Sequence, residues 1–270
     1  MNDIYHGIDF SGASNPRNKI WLSTWRLGDA PTTQNGFSRE DLVRTLLEMA
    51  GDGATHHVLI DAPLTLPLEH LRQLGVELSW RGAAEWLRGF ETPRAWRSKT
   101  RKVSRVEPRR AVDVSARTPM SPLNIRLFKQ TWHALVSLVL PLLEHPESVA
   151  ILPMSAALAE PERPRPERVP VRIGEGCPSS FLRSREWPHR GYKGTGASCE
   201  ERRTALLALL EEDGSFSVAR KAAKLAVSDT EGDALDSLLL LPSAQRFADS
   251  DPHELLTQQE PASIEGWVYV

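Results

Sequence analysis

Gly7-Ile8-Asp9-Phe10-Ser11-Gly12-Ala13 and Val58-Leu59-Ile60-Asp61-Ala62-Pro63-Leu64 share one pattern: an apolar run that reads as a buried strand and stops at an aspartate. A carboxylate at the end of a buried strand is costly to desolvate unless something pairs with it. Open α/β sheets gather their ligands at the carboxyl ends of their strands. Two such aspartates therefore bring two negative charges towards one place, and a divalent cation is the simplest thing that would hold them there.

Working outward, residues 4–10 read as a strand, Asn15-Pro16-Arg17-Asn18 as a turn, and residues 19–27 as a second strand with alternating apolar positions, so an antiparallel hairpin opens the fold. Ser38-Arg39-Glu40-Asp41 starts a helix through Ala50, with Leu42, Leu46 and Met49 on one face. Ser38 and Asp41 form a capping box with aspartate in place of glutamate, and Gly51 and Gly53 end the helix. Residues 56–60 make the strand that delivers Asp61. Residues 69–89 have helical spacing anchored by Leu71, Trp80 and Trp86, whereas Pro93 to Arg117 reads as irregular. Asn124 to His145 is expected as one long apolar helix, with Leu127, Thr131, Leu135, Leu138 and Leu142 on its core stripe. Residues 160–170 read as a charged, proline-rich surface loop within a longer insertion over 146–170. Val171 to Glu175 is a short strand that again ends in a carboxylate, and Ser198-Cys199-Glu200-Glu201 reads as a capping box opening a helix to Glu212. A helix over 229–241 and a strand within 265–270 close the chain.

The length of 270 residues suits one large α/β domain. With 40% hydrophobic and 25% charged residues the composition is that of a globular protein, and a net charge of −2 points to no partner by itself. The longest apolar run, Ala134 to Leu143, is about half the roughly 20 residues of a membrane span. The first residues lack a basic region followed by an apolar core, so no secretory signal is expected. Cys177 and Cys199 show no metal spacing, which suggests a reduced, cytoplasmic protein without structural zinc.

Four acidic residues stand out: Asp9, Asp61 and Glu175 end apolar strands, and Asp233 opens a helix. Taken singly, each has an ordinary explanation as a turn, cap or helix-dipole residue. Two-metal phosphoryl-transfer sites need such a set, because two divalent ions about 4 Å apart must be held by carboxylates that leave positions open for water and phosphate. The order of hairpin, carboxylate strand, insertion, carboxylate strand and carboxylate helix resembles that of the RNase H-like fold.

The chain resembles the family catalogued as domain of unknown function 429, whose members are identified as nucleases of RNase H-like fold. The resemblance rests on residues 7–13 and 59–64; on Arg110-Ala111-Val112-Asp113 with Thr118-Pro119-Met120-Ser121-Pro122-Leu123-Asn124; on Glu175-Gly176-Cys177-Pro178 with Gly191-Tyr192-Lys193-Gly194; and on Asp229 to Leu235 with Gly266-Trp267-Val268-Tyr269-Val270. Cys177 stands where the family has a larger residue. The resemblance implies a mixed sheet flanked by helices, with a helical and basic insertion over 65–123. It also implies nuclease activity with magnesium or manganese, in which Asp9 bridges two ions, Asp61 and Glu175 each ligate one, Asp233 completes the second, and Lys193 contacts phosphate or orients a water. The competing expectations are an actin-like phosphotransferase or ATPase, against which the lack of a second GIDFSGA copy speaks, and a non-catalytic nucleic-acid-binding protein.

Pro93 to Arg117 carries nine basic residues, Arg94, Arg97, Lys99, Arg101, Lys102, Arg105, Arg109, Arg110 and Arg117, against Glu107 and Asp113, or +7 in 25 residues. With Trp96 among them, this composition suits binding of a phosphate backbone with an aromatic for stacking. The first eight of these, Arg94 through Arg110, are the expected nucleic-acid contacts, with Arg110 and Asp113 also forming a local pair. Gly194-Thr195-Gly196 is a weak phosphate-loop signal, and His6, His56 and His57 read as structural.

Overall fold

A computed structural model describes residues 2–157, 165, 168–214, 216–258 and 261–270; most of the proline-rich loop expected over 160–170 lies outside them. The chain is an α/β protein. Its strands are β1 (Asp3–Asp9), β2 (Trp21–Trp25), β3 (Thr32–Asn35), β4 (Thr55–Asp61), β5 (Val149–Ile151), β6 (Val171–Gly176) and β7 (Val268–Tyr269). They form one mixed sheet in the order β3-β2-β1-β4-β6-β5, with β7 pairing β6. β1 to β3 are an antiparallel meander, and β4 to β7 add parallel to β1 and to one another. β5 pairs residues 171–173 of β6 and β7 pairs 175–176, so the two short strands lie end to end along one edge.

β1 and β4 are almost wholly buried because helices cover both faces of the sheet. Ile8, Ile60 and Ile173 point into a core shared with Leu42 and Leu46 of the helix Arg39–Met49 and with Leu135 and Leu138. Tyr5 and Leu59 point the other way, into a core with Leu206, Leu235, Leu238 and Phe247. The capping box at Ser38 forms in both directions: Ser38 Oγ accepts from Asp41 N–H at 3.0 Å, and Asp41 Oδ2 accepts from Ser38 N–H at 3.0 Å. Among the described residues no helix is long and apolar enough to cross a membrane.

Several elements differ from the expectation. β3 is a polar edge strand (Thr-Thr-Gln-Asn) with no apolar alternation to announce it. Pro93–Val103 is a helix, capped by Thr92, whose Oγ1 accepts from Ala95 N–H at 3.1 Å, and started by a proline that has no N–H to leave unpaired. The expected long helix over 124–145 begins at Phe128 and widens to a π turn at Leu135–Val139. There Leu140 N–H donates five residues back to Leu135 O, just before Pro141, whose ring cannot fit an ordinary helical turn. Ser198 does not cap: the helix Ala197–Glu212 already includes it, with Gly196 at the cap position. The helix expected over 229–241 is Asp233–Leu239, and Pro242 lies in the first turn of the next, Leu241–Ala248.

The helix Asp233–Leu239 rests directly on β1 at Gly7. A Cβ there would lie 2.0 Å from Ser237 O and 2.8 Å from Leu240 Cβ, so backbone must move. Gly7→Ala is expected to cost about 3 kcal/mol, lowering Tm by roughly 6–10 °C in a chain of this size. A variant melting with the parent in thermal denaturation would mean that the helix can lift off without loss.

Candidate metal centre

β1 and β4 are parallel and in register, with Asp9 opposite Asp61. Residues opposite each other in a sheet point to the same face, so both carboxylates emerge side by side where the strands end. The helix Asp233–Leu239 crosses that face and contributes Asp236. One oxygen from each of Asp9, Asp61 and Asp236 lies within 4.8 Å of the other two. Asp236 is in turn fixed from behind: Tyr192 Oη donates to its Oδ1 at 2.8 Å and Lys193 Nζ lies 2.6 Å from its Oδ2. Asp233, one turn earlier, sits 3.6 Å from Lys193 Nζ at the rim, with its side chain 15% exposed. Sequence reasoning stopped at Asp233 and missed Asp236. The signal was present: an acidic residue between Leu235 and Leu238, in a stretch otherwise fit only for the core, three positions after another aspartate.

Burial is the main reason Asp9, Asp61 and Asp233 resist ionisation, and repulsion from neighbouring carboxylates adds to it. Asp9 is raised well above the usual carboxylate range by burial and then by Asp233, with Lys193 opposing. Asp61 is pushed up to about 8 by burial and by Asp236, and Asp233 to about 6 by burial against the pull of Lys193. Burial alone would lower Lys193, but Asp236 and Asp9 outweigh it and hold the ammonium charged. One lysine thus faces more carboxylate than it can neutralise.

These shifts set a pH dependence for the protein without metal. Folded Asp61 keeps its proton up to about pH 8, whereas the unfolded carboxyl loses it near pH 4, so stability falls as pH rises through that window. Buried His6 acts in the opposite sense. Its folded pKa is lowered to about 3 by burial and by His56, so it must stay neutral, and stability falls as pH drops below 6.5. The chelated protein is therefore expected to lose about 1–2 kcal/mol between pH 6.5 and 8. Asp61→Asn should flatten that limb. Thermal melts in EDTA across the pH range check this, and a level profile in the parent would count against the repulsive cluster.

Glu175 lines the same cleft but lies outside the converging trio of aspartates. Its partner across the sheet is Ile60, one residue before Asp61, so its side chain leaves by the opposite face. There it meets Arg110: Nη1 donates to Glu175 Oε2 at 2.6 Å, Nη2 to Asp113 Oδ1 at 2.7 Å and Nε to Asp113 Oδ2 at 3.1 Å. Leu64 N–H also donates to Glu175 Oε2 at 3.0 Å. Glu175, expected as a metal ligand, and Arg110, expected on a nucleic-acid surface, are bound to each other instead, with Arg110 1% exposed. The expected Arg110–Asp113 pair is present within this group.

The rest of the basic segment lies apart from the carboxylates. Trp96 is fully buried in the core, so it offers no ring to a base. Arg97 is held by Glu107 at 2.9 Å, Arg101 lies 3.6 Å from the same carboxylate, and Arg109 donates to the Thr118 carbonyl. Arg94, Lys99, Lys102 and Arg105 are exposed on and just after the helix Pro93–Val103. His6, His56 and His57 are buried, with His6 Nε2 and His56 Nδ1 2.9 Å apart and His57 Nε2 3.0 Å from Asp3.

A cleft of about 610 Å³ opens over the three aspartates. Lys19, Arg126, Lys129 and Lys193 line it, as does Arg110 in its pairing with Glu175 and Asp113, and Ser11 and Gly12 form its floor after Asp9. Gln130, which no sequence signal marked, uses one side-chain amide to bridge the two strand ends, donating to Phe10 O and Asp61 O at 2.6 Å each. Gly194 donates its N–H to Thr230 O at 2.6 Å, and Arg203 donates to the carbonyls of Tyr192 and Gly194, so the loop bearing Lys193 is braced from below. No family model matches the chain, and comparison with curated proteins and with solved structures finds no match either.

Proposed function

We propose that the chain is a divalent-metal-dependent nuclease of RNase H-like fold, hydrolysing phosphodiester bonds in nucleic acid, and a relative of the domain of unknown function 429 family. The observation that carries this reading is the meeting of Asp9, Asp61 and Asp236, from two adjacent parallel strands and one helix, with oxygens within 4.8 Å of one another under an open cleft. The strand order supports the fold: an antiparallel meander, then parallel strands added to β1, with the carboxylate helix packed on one face.

The residues fit magnesium or manganese. All donors are oxygens, Asp9 and Asp61 resist ionisation because they are buried beside other carboxylates, and a divalent ion would supply the positive charge that Lys193 alone does not. Asp9, Asp61 and Asp236 would hold one ion, and Asp233 is the carboxylate at hand for a second. Such ions lower the pKa of a bound water and stabilise charge on a leaving oxygen. The protein's own part is positional. Gln130 fixes the ends of β1 and β4, Tyr192 and Lys193 orient Asp236, and Arg126 and Lys129 meet an anionic backbone at the rim.

Incubating labelled single- and double-stranded oligonucleotides with the protein and magnesium, manganese or EDTA tests this. Cleavage is expected only with metal, and Asp9→Asn should abolish it. If the parent neither cleaves nor gains stability from either ion, the nuclease reading fails.

A further inference from the structure

A second concavity, of about 420 Å³, is lined by Arg117, Arg183, Glu186, Trp187, His189 and Arg190. It adjoins the acidic cleft through three connections. Arg117 precedes Thr118, which lines that cleft, and Arg190 lies two residues before Tyr192, which does so too. The helix Pro178–Ser184 runs between them: Pro178 and Ser179 line the acidic cleft, and Arg183 lines the groove about 6 Å further along the axis.

The groove is cationic and poorly compensated. Three guanidinium groups face one carboxylate, Glu186. Arg183 Nη1 donates to Arg117 O at 3.1 Å, while its buried Nε has no acceptor. The guanidiniums of Arg117 and Arg190 have no hydrogen-bond or ion-pair partner among the described residues. Trp187 is half-buried and held by Phe181, ring centroids 5.7 Å apart at 84°. The backbone is bent to make this wall. Arg117 (φ 54) and Glu186 (φ 60) are the two non-glycine residues at positive φ among those described, and both line this groove. Arginines around one concavity with an ordered aromatic are the combination that seats unpaired nucleotides, since a phosphate takes the cation and an unstacked base takes the ring.

We propose that this groove binds the single-stranded nucleic acid on which the metal centre acts, with phosphates on Arg117, Arg183 and Arg190 and a base stacked on Trp187. The inference rests on the nuclease reading above, and it places the strand along the helix Pro178–Ser184 rather than on the helix Pro93–Val103.

Fluorescence anisotropy of a labelled oligothymidylate, with calcium in place of magnesium, measures binding. The variant Arg117→Asn/Arg190→Gln removes two exposed charges while asparagine still tolerates the positive φ at position 117. It should bind at least tenfold more weakly, with the salt slope shallower by roughly 1.4 for two lost phosphate contacts on a single strand. Its melting temperature, with and without manganese, should match the parent's, because neither residue touches the aspartates. Trp187→Leu should weaken binding to the oligothymidylate, and a duplex of matched length should bind the parent at least tenfold more weakly than the single strand. A parent that binds while the double variant binds equally well overturns the groove and leaves the nuclease reading standing. Equal binding of duplex and single strand by the parent overturns the single-strand assignment. A parent that binds neither overturns both the groove and the nucleic-acid reading.

Discussion

Arg110→Ala lowers the stability of the protein by about 3–5 kcal/mol, the largest effect expected of any single side chain outside the apolar core. Arg110 is 1% exposed and its guanidinium is shared by Glu175 and Asp113, themselves 5% and 1% exposed. Removing it strands two carboxylates in the interior and takes a hydrogen bond from Thr65 Oγ1 at 2.8 Å. The group also joins distant parts of the chain, because Glu265 Oε2 accepts from Ala111 N–H beside it. Urea denaturation gives the magnitude. Arg110→Lys should recover only part of the loss, since one ammonium cannot serve both carboxylates in the planar manner of a guanidinium. Adding Glu175→Gln to Arg110→Ala should recover part of it too, by neutralising one stranded charge. Arg101→Ala, whose side chain is 44% exposed, should change stability by no more than about 0.5 kcal/mol. If Arg110→Ala were as benign as Arg101→Ala, Arg110 would be a surface residue and its pairing with Glu175 incidental.

That contrast shows why the basic segment was hard to read. In the sequence Arg97, Arg101 and Arg110 belong to one charged run, and the only local mark on Arg110 is Asp113 three residues on, which fits a surface pair as well as a buried one. The partner 65 residues away, Glu175, is what places Arg110 in the interior. Trp96 is a similar case, since an aromatic among arginines looks available until the helix Pro93–Val103 is seen to press it into the core. By contrast, the elements read correctly carry their reasons within a few residues. β1 and β4 are uninterrupted apolar runs, and the helix Arg39–Met49 has its capping box and its leucine stripe in sequence. Asp9 and Asp61 were legible for the same reason. Glu175 looked equivalent because it too ends a strand, but the face a strand residue takes depends on register, and a single residue of offset between Ile60–Glu175 and Asp9–Asp61 moves it through the sheet.

Asp236→Asn should remove the stabilisation that manganese or magnesium gives the parent, whereas Asp233→Asn should only reduce it. At metal concentrations one hundred times Kd, an ion bound only by the folded state adds about 2.7 kcal/mol, a rise in Tm of roughly 5–10 °C for a chain of this length. Asp236 belongs to the trio whose oxygens lie within 4.8 Å of one another, so its loss leaves two ligands where three converge. Asp233 stands at the rim beside Lys193 and is partly exposed, so water can replace it. The metal-free proteins should respond in the opposite direction. Neutralising Asp236 relieves the repulsion that raises Asp61, while its amide oxygen can still accept from Tyr192 Oη, as the carboxylate does at 2.8 Å. Lys193 loses its closest carboxylate at 2.6 Å but keeps Asp233 at 3.6 Å, so the chelated variant should melt no lower than the chelated parent. Nuclease activity, under the proposed reading, should fall by on the order of 10²–10³ in the Asp236 variant and by about tenfold in the Asp233 variant. Melting curves with and without metal for both variants decide between them. If Asp233→Asn loses the metal response and Asp236→Asn keeps it, the ion belongs at the rim and not between the ends of β1 and β4.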